Sequence, residues 1–226
     1  MSPPAARVGT VALAMLPFLA ISAVHLGAKL AGAVALDQAT KGWTVPALAL
    51  GAILTLLIDR RRLRPRVFAL LFTALGLSWL GDITLADFVV GLSFFLVAHL
   101  AYIVLFHLAF HRNASWWSLG LVFWFAGLML ALWPSLGALA PVVAVYGVVL
   151  GLMAAFSTRG NTFTMIGGTL FVASDSLLAF RLFTPLFQTP PEDTLIMAFY
   201  LAAQLFLVIG VLRTATAREP RIRAGA

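Results

Sequence analysis

The sequence predicts an all-α protein: a polytopic membrane helix bundle of eight transmembrane helices with both termini on the cytoplasmic side. Three observations predict it. Of 226 residues, 62% are hydrophobic and 10% charged, against about 45–50% apolar and about 25% charged in soluble domains. Apolar runs alternate with short polar links, and each run approaches the roughly 20 residues needed to cross a hydrocarbon core of about 30 Å. Lys and Arg fall unevenly on alternate links, an asymmetry that orients membrane proteins because cytoplasmic loops carry the excess. One side receives Arg7, Arg60, Arg61, Arg62, Arg64, Arg66, Arg112, Arg159, Arg213, Arg218, Arg221 and Arg223, whereas the other receives only Lys29, Lys41 and Arg181.

In order, spans are expected at about Val8–Ala28, Trp43–Ile58, Val67–Ala86, Phe88–Phe110, Trp116–Trp133, Leu136–Phe156, Phe163–Phe183 and Leu195–Leu212. They make residues 1–226 a single transmembrane domain. The first run follows Arg7 and reads as an uncleaved helix, since further spans follow closely. Pro17 and Pro46 lie in the first two spans, where missing backbone bonds kink a helix and neighbours re-satisfy them. The links Ala86-Asp-Phe88 and Trp133-Pro-Ser-Leu136 are expected to fold the third span against the fourth and the fifth against the sixth. Two longer outer links run from Lys29 to Gly42 and from Thr184 to Thr194. The second holds Pro185, Pro190 and Pro191, and reads as a turn or a lid.

The net charge of +7 is topological in origin, so no nucleic-acid partner is implied. Absence of cysteine excludes disulfides, thiolate nucleophiles and cysteine-ligated metals. No nucleophile elbow, phosphate loop or His-Glu-x-x-His occurs, so the common hydrolase and nucleotide mechanisms have no support. His107 and His111 have metal-pair spacing but sit beside Arg112 at a helix end, where a basic terminus explains them. No metal and no cofactor is expected. Asn113-Ala-Ser115 is a glycosylation sequon on the inner side, and Gly147-x-x-x-Gly151 is a close-packing face. Arg60 to Arg66 fix topology and attract anionic membrane lipids.

Two acids carry the functional signal: Asp82 in Leu75-Gly-Leu-Ser-Trp-Leu-Gly-Asp-Ile-Thr-Leu-Ala86, and Asp175 in Gly167-Gly-Thr-Leu-Phe-Val-Ala-Ser-Asp-Ser-Leu-Leu-Ala179. Ionisable groups within spans are costly and rare, and usually face a bundle interior or a watery cavity. Both acids lie on helices running from inside to outside, which suits a duplication with parallel repeats. Counted at 1.5 Å per residue, His99 lies mid-span, Tyr102 one turn further in and Tyr146 centrally. Tyr200 and Gln204 share a face at i and i+4, while Lys41 enters at an outer end. Lys41, Asp82, Asp175, His99, Tyr146, Tyr200 and Gln204 are thus expected to meet in one chamber in the outer half of the bundle. Individually each has a plainer role: an Asp can pair with Lys41 to join helices, and His, Tyr and Gln serve as interhelical hydrogen-bonding glue.

These residues resemble the YhhN-like family of integral membrane proteins, which includes the lysoplasmalogenases. The resemblance runs through Lys41 in Thr-Lys-Gly-Trp-Thr-Val-Pro, Ser78-Trp-Leu-Gly-Asp82, Gly91-Leu-Ser-Phe-Phe-Leu-Val-Ala-His99-Leu-Ala-Tyr102, Gly168-Thr-Leu-Phe-Val-Ala-Ser174-Asp175 and Tyr200-Leu-Ala-Ala-Gln204. Gly42 stands where the family usually has proline. The resemblance implies a hydrolase of a bacterial cytoplasmic membrane that cleaves the vinyl ether bond of a lysophospholipid to a fatty aldehyde and a glycerophospho-alcohol. Such a reaction needs a general acid and a carboxylate to orient water. On this reading Asp82 and Asp175 are the catalytic pair. His99, Tyr102, Tyr146, Ser174, Tyr200 and Gln204 position substrate or water, and Lys41 meets the lipid phosphate. A proton-coupled transporter and a non-catalytic lipid-binding protein are the alternatives that intramembrane acids also suit.

Overall fold

Proline, glycine and capping side chains punctuate the apolar sequence into helices. A computed structural model describes residues 8–217, of which the described elements are almost entirely helical. Arg7, Arg218, Arg221 and Arg223, counted above for orientation, lie outside the described residues. In chain order the helices are α1 (Val8–Ala14), α2 (Leu16–Leu30), α3 (Val34–Lys41), α4 (Thr44–Ile58), α5 (Pro65–Thr84), α6 (Phe88–Ala109), α7 (Gly120–Leu136), α8 (Ala140–Ser157), α9 (Thr162–Phe183) and α10 (Pro190–Leu212). Single 3₁₀ turns at Trp116–Leu119 and Gly137–Leu139 flank α7. The two-residue strands Arg61–Arg62 and Thr216–Ala217 pair antiparallel at the α4–α5 connection.

Among the described residues, six stretches are long and apolar enough to cross a membrane: Val34–Ile58, Pro65–Thr84, Phe88–Ala109, Trp116–Ser157, Thr162–Phe183 and Pro190–Leu212. The fourth is 42 residues long and is folded back on itself, because Gly137 at φ 51° breaks it and α7 packs on α8. That conformation suits glycine, which lacks the Cβ penalty of the left-handed region. Leu16–Leu30 is a shorter apolar helix. Pro17 occupies its first turn, where a missing N–H is tolerated, and the bonds Met15 N to Val11 O and Leu19 N to Met15 O carry the chain across the α1–α2 break.

Three connections differ from the sequence reading. The link from Lys29 to Gly42 holds an extra helix, α3. Trp133–Leu136 is not a turn: Pro134 lies within α7 and the reversal is at Gly137. Residues 190–194 form the first turn of α10 rather than a loop, since Thr189 and Glu192 close a capping box and Pro190 begins the helix. Proline is favoured there because its fixed φ suits a first turn that needs no donor.

The core is layered around α10, which is buried along Tyr200, Leu201, Ala203, Gln204, Leu207, Val208 and Val211 and packs on α9, α2 and α4. Phe123 and Leu130 are each 79% exposed, an apolar outer surface that belongs against hydrocarbon. Antiparallel α5 and α6 approach closely at Gly91, where a Cβ would lie 2.7 Å from Leu85 Cα. This holds Asp82, three residues before Leu85, against its neighbours.

Candidate functional site: a polar cavity within the bundle

Asp82 ends the buried face of α5, four residues after buried Ser78. Asp175 follows Ser174 on α9, whose hydroxyl donates to Ile196 O on α10 at 3.0 Å and pins the two helices together beside the acid. Both carboxyls line one cavity of about 130 Å³, shared by residues of α2, α3 and α5 to α10. Its wall is otherwise apolar, with Leu85, Phe88, Leu92, Phe95 and Met197 among the lining side chains.

Each acid is held by a tyrosine. The Tyr200 hydroxyl donates to Asp82 Oδ2 at 2.7 Å, and the Tyr146 hydroxyl donates to Asp175 Oδ2. Behind Tyr200 the bonds run in one direction: Tyr102 Oη donates to Gln204 Oε1 at 2.7 Å, and Gln204 Nε2 donates to Tyr200 Oη at 3.4 Å. Three donors in series aim at one carboxylate oxygen, an arrangement in which successive bonds polarise one another. The second oxygen of each carboxyl takes no part in these bonds.

Of the residues expected in one chamber, the cavity gathers Lys41, Asp82, Tyr146, Ser174, Asp175 and Tyr200. His99, Tyr102 and Gln204 lie behind that wall, all fully buried. His99 meets the Tyr146 ring at 5.5 Å and the Phe171 ring at 4.7 Å, and neither ring nitrogen has a hydrogen-bond partner among the described residues.

The end of the cavity lined by Lys29, Lys41 and Asp193 holds charges that read from the sequence only as topology or loop. Lys29 Nζ on α2 bridges Asp37 Oδ2 on α3 at 3.2 Å and Asp193 Oδ2 on α10 at 2.7 Å. Arg181 Nε lies 3.5 Å from Asp193 Oδ1. Buried His25 places Nδ1 2.9 Å from Thr40 Oγ1 and 3.2 Å from Asp37 Oδ1. Lys29 and Asp193 both line the cavity, as does Lys41, which forms no ion pair among the described residues. A charged residue abutting the end of a span was the one available signal.

Chemically, the cavity offers two carboxyls with a free oxygen each, a water-poor wall and cations at its mouth. Among the described residues no group of His, Asp or Glu side chains is placed to hold a metal. Searches of curated proteins and of solved structures return no match. A profile of the YhhN family matches residues 36–211, a stretch that contains Lys41, both acids, and Tyr102, Tyr146, Tyr200 and Gln204, but not His25 or Lys29. The chain belongs to the YhhN family.

Proposed function

We propose that this protein is a membrane-embedded hydrolase that cleaves the vinyl ether bond of lysoplasmalogens, releasing a fatty aldehyde and a glycerophospho-ethanolamine or -choline. The observation that carries it is the placement of Asp82 and Asp175 on one cavity whose wall is otherwise mostly apolar, each anchored by a tyrosine. The topology that goes with it has eight spans and both termini in the cytoplasm. Two crossings come from the folded-back stretch Trp116–Ser157, one from α1 with α2, and the cavity mouth with Lys29 and Lys41 faces outward.

One carboxyl transfers its proton to the β carbon of the vinyl ether, giving an oxocarbenium ion. The other, ionised, takes a proton from water as its oxygen bonds to the α carbon. The resulting hemiacetal collapses as the second carboxyl protonates the leaving glycerol oxygen and the first, now ionised, takes the hemiacetal hydroxyl proton, breaking the carbon–oxygen bond, releasing the aldehyde and restoring both acids. Two acids sharing a water-poor site adopt this division of one proton between them. Tyr200 and Tyr146 hold the carboxyls in place, while Gln204 and Tyr102 hold Tyr200, and His99 packs behind Tyr146. Ser174 fixes the α9–α10 contact. Lys41 meets the phosphate at the rim, and the hydrocarbon chain lies among Phe- and Leu-rich helix faces. No cofactor or metal enters the scheme.

The test is a panel of alkenyl, alkyl and acyl lysophospholipids incubated with purified protein in detergent, with aldehyde, fatty acid and headgroup release followed by mass spectrometry. Aldehyde from the alkenyl substrates alone is expected. Fatty acid from the acyl substrates would assign ester hydrolysis instead, and no product from any lipid would remove the hydrolase reading.

A further inference from the structure

A second concavity lies on the membrane-facing side of α9. Thr169, Val172, Ala173, Ser176, Leu177 and Phe180 line it from α9, spaced three or four apart so that they form one face. Trp124 of α7, Phe199 of α10 and the connection after α9 complete it. From Thr169 to Phe180 the face extends about 16 Å at 1.5 Å per residue. Apart from Thr169 and Ser176 its lining is apolar, a groove shaped for a hydrocarbon chain lying along the helix.

The groove and the acid cavity share two residues, Trp124 and Ser176. These are joined to each other: Trp124 Nε1 donates to Ser176 Oγ at 3.0 Å. One hydrogen-bonded pair is therefore the partition between the cavity with Asp175, next to Ser176 in sequence, and the groove facing lipid. The outer end of the groove is also built. Phe187 is held at φ 58°, a conformation costly for a bulky side chain, and its carbonyl accepts from Arg181 Nη1 at 2.6 Å. Gln188 Nε2 donates to Arg181 O, Thr184 O and Leu186 O. These bonds keep the Phe187 ring beside Phe180, centroids 6.4 Å apart.

Building on the proposed lysolipid substrate, we propose that this α7–α9 groove is the subsite for its single hydrocarbon chain, entered sideways from the bilayer past the Trp124–Ser176 pair. The headgroup then sits at the Lys29 and Lys41 rim, the chain runs along α9, and the bond to be cleaved lies between them at the acids. A chain-bearing amphiphile thereby reaches the carboxyls without leaving the membrane.

The test is photolabelling without turnover. A non-cleavable 1-O-alkyl lysophosphatidylethanolamine with a diazirine midway along its chain is irradiated with the full-length protein in detergent micelles, and the labelled residues are mapped by peptide mass spectrometry. Saturable labelling at Leu177, Phe180 or Phe199 is expected, displaced by unlabelled lysolipid but not by diacyl phospholipid. Ala173→Trp should lower it at least fivefold, while Leu130→Trp, at an exposed α7 position outside the groove lining, leaves it unchanged. Labelling spread over all outward faces, or displaced equally by diacyl lipid, would overturn the proposal and identify an ordinary annular lipid site. Since the probe is not cleaved, saturable labelling with no aldehyde from any lipid would remove the hydrolase reading while leaving the chain subsite standing. Aldehyde release with diffuse labelling would do the reverse.

Discussion

Tyr200 is the side chain on which the Asp82 half of the cavity turns. Its hydroxyl donates to the carboxyl and accepts from Gln204, and its ring packs edge-on to Phe95 and Phe171 at 5.9 and 5.5 Å. Tyr200→Phe keeps the ring and removes both bonds, stranding Asp82 Oδ2 and Gln204 Nε2 in a buried site. A hydrogen bond to a charged group contributes about 1.5–3 kcal/mol, so vinyl ether hydrolysis should fall roughly 10- to 100-fold. Thermal unfolding in detergent should move far less than the rate, because the packing is retained. A rate unchanged in this variant would mean that the Tyr102–Gln204–Tyr200 series is structural only. The acids themselves were legible in the sequence because an ionisable group inside an apolar run has few bland explanations. Lys29 and Asp193 were not, since they lie 164 positions apart and each alone looks like an ordinary link charge.

At the scale of elements, the α5–α6 hairpin positions Asp82 and depends on backbone proximity. Gly91→Ala would place a Cβ 2.7 Å from Leu85 Cα, and overpacking of this kind costs about 1–3 kcal/mol. Gly76 on the same α5 has nothing within 4 Å of a built Cβ; Gly76→Ala is the matched control. The expected outcome is a lower midpoint for Gly91→Ala, and an equal or slightly higher one for Gly76→Ala, since alanine is the better helix former by about 1 kcal/mol. Helix ends show why some boundaries were readable and others not. Asn161 caps α9 with its side chain accepting from Phe163 N and Thr164 N, which agrees with the apolar run that follows. Pro190 and Pro191 read as loop residues from composition, yet with Thr189 and Glu192 they start α10, the longest helix. The eight residues of α3 carry too few apolar positions to separate a short helix from a link.

For the whole molecule, the topology determines which side of the membrane supplies the substrate. Exposed tryptophans mark both ends of the bundle, with Trp43 and Trp133 near one and Trp116 and Trp117 near the other, the placement of aromatic belts at membrane interfaces. The chain has no cysteine, so single cysteines report sidedness without a background. Arg112→Cys is expected to react with an impermeant maleimide only in inverted vesicles, and Gln188→Cys only in right-side-out ones. Labelling of both from the same side would break the three crossings between them and with them the eight-span arrangement, and the reversed pattern would move the cavity mouth to the other face.

The central claim is that two carboxyls on one cavity divide the work of acid and base. Its most direct measurement is the rate of aldehyde release from an alkenyl lysophospholipid by folded Asp82→Asn and Asp175→Asn variants, assayed separately and together. Removing a general acid or base typically costs 10²–10⁴-fold. Each single variant should therefore fall by about that factor, and the double variant little further, because residues acting as a unit are not additive. Full activity surviving in either single variant, with the protein still folded by its thermal transition, would contradict it.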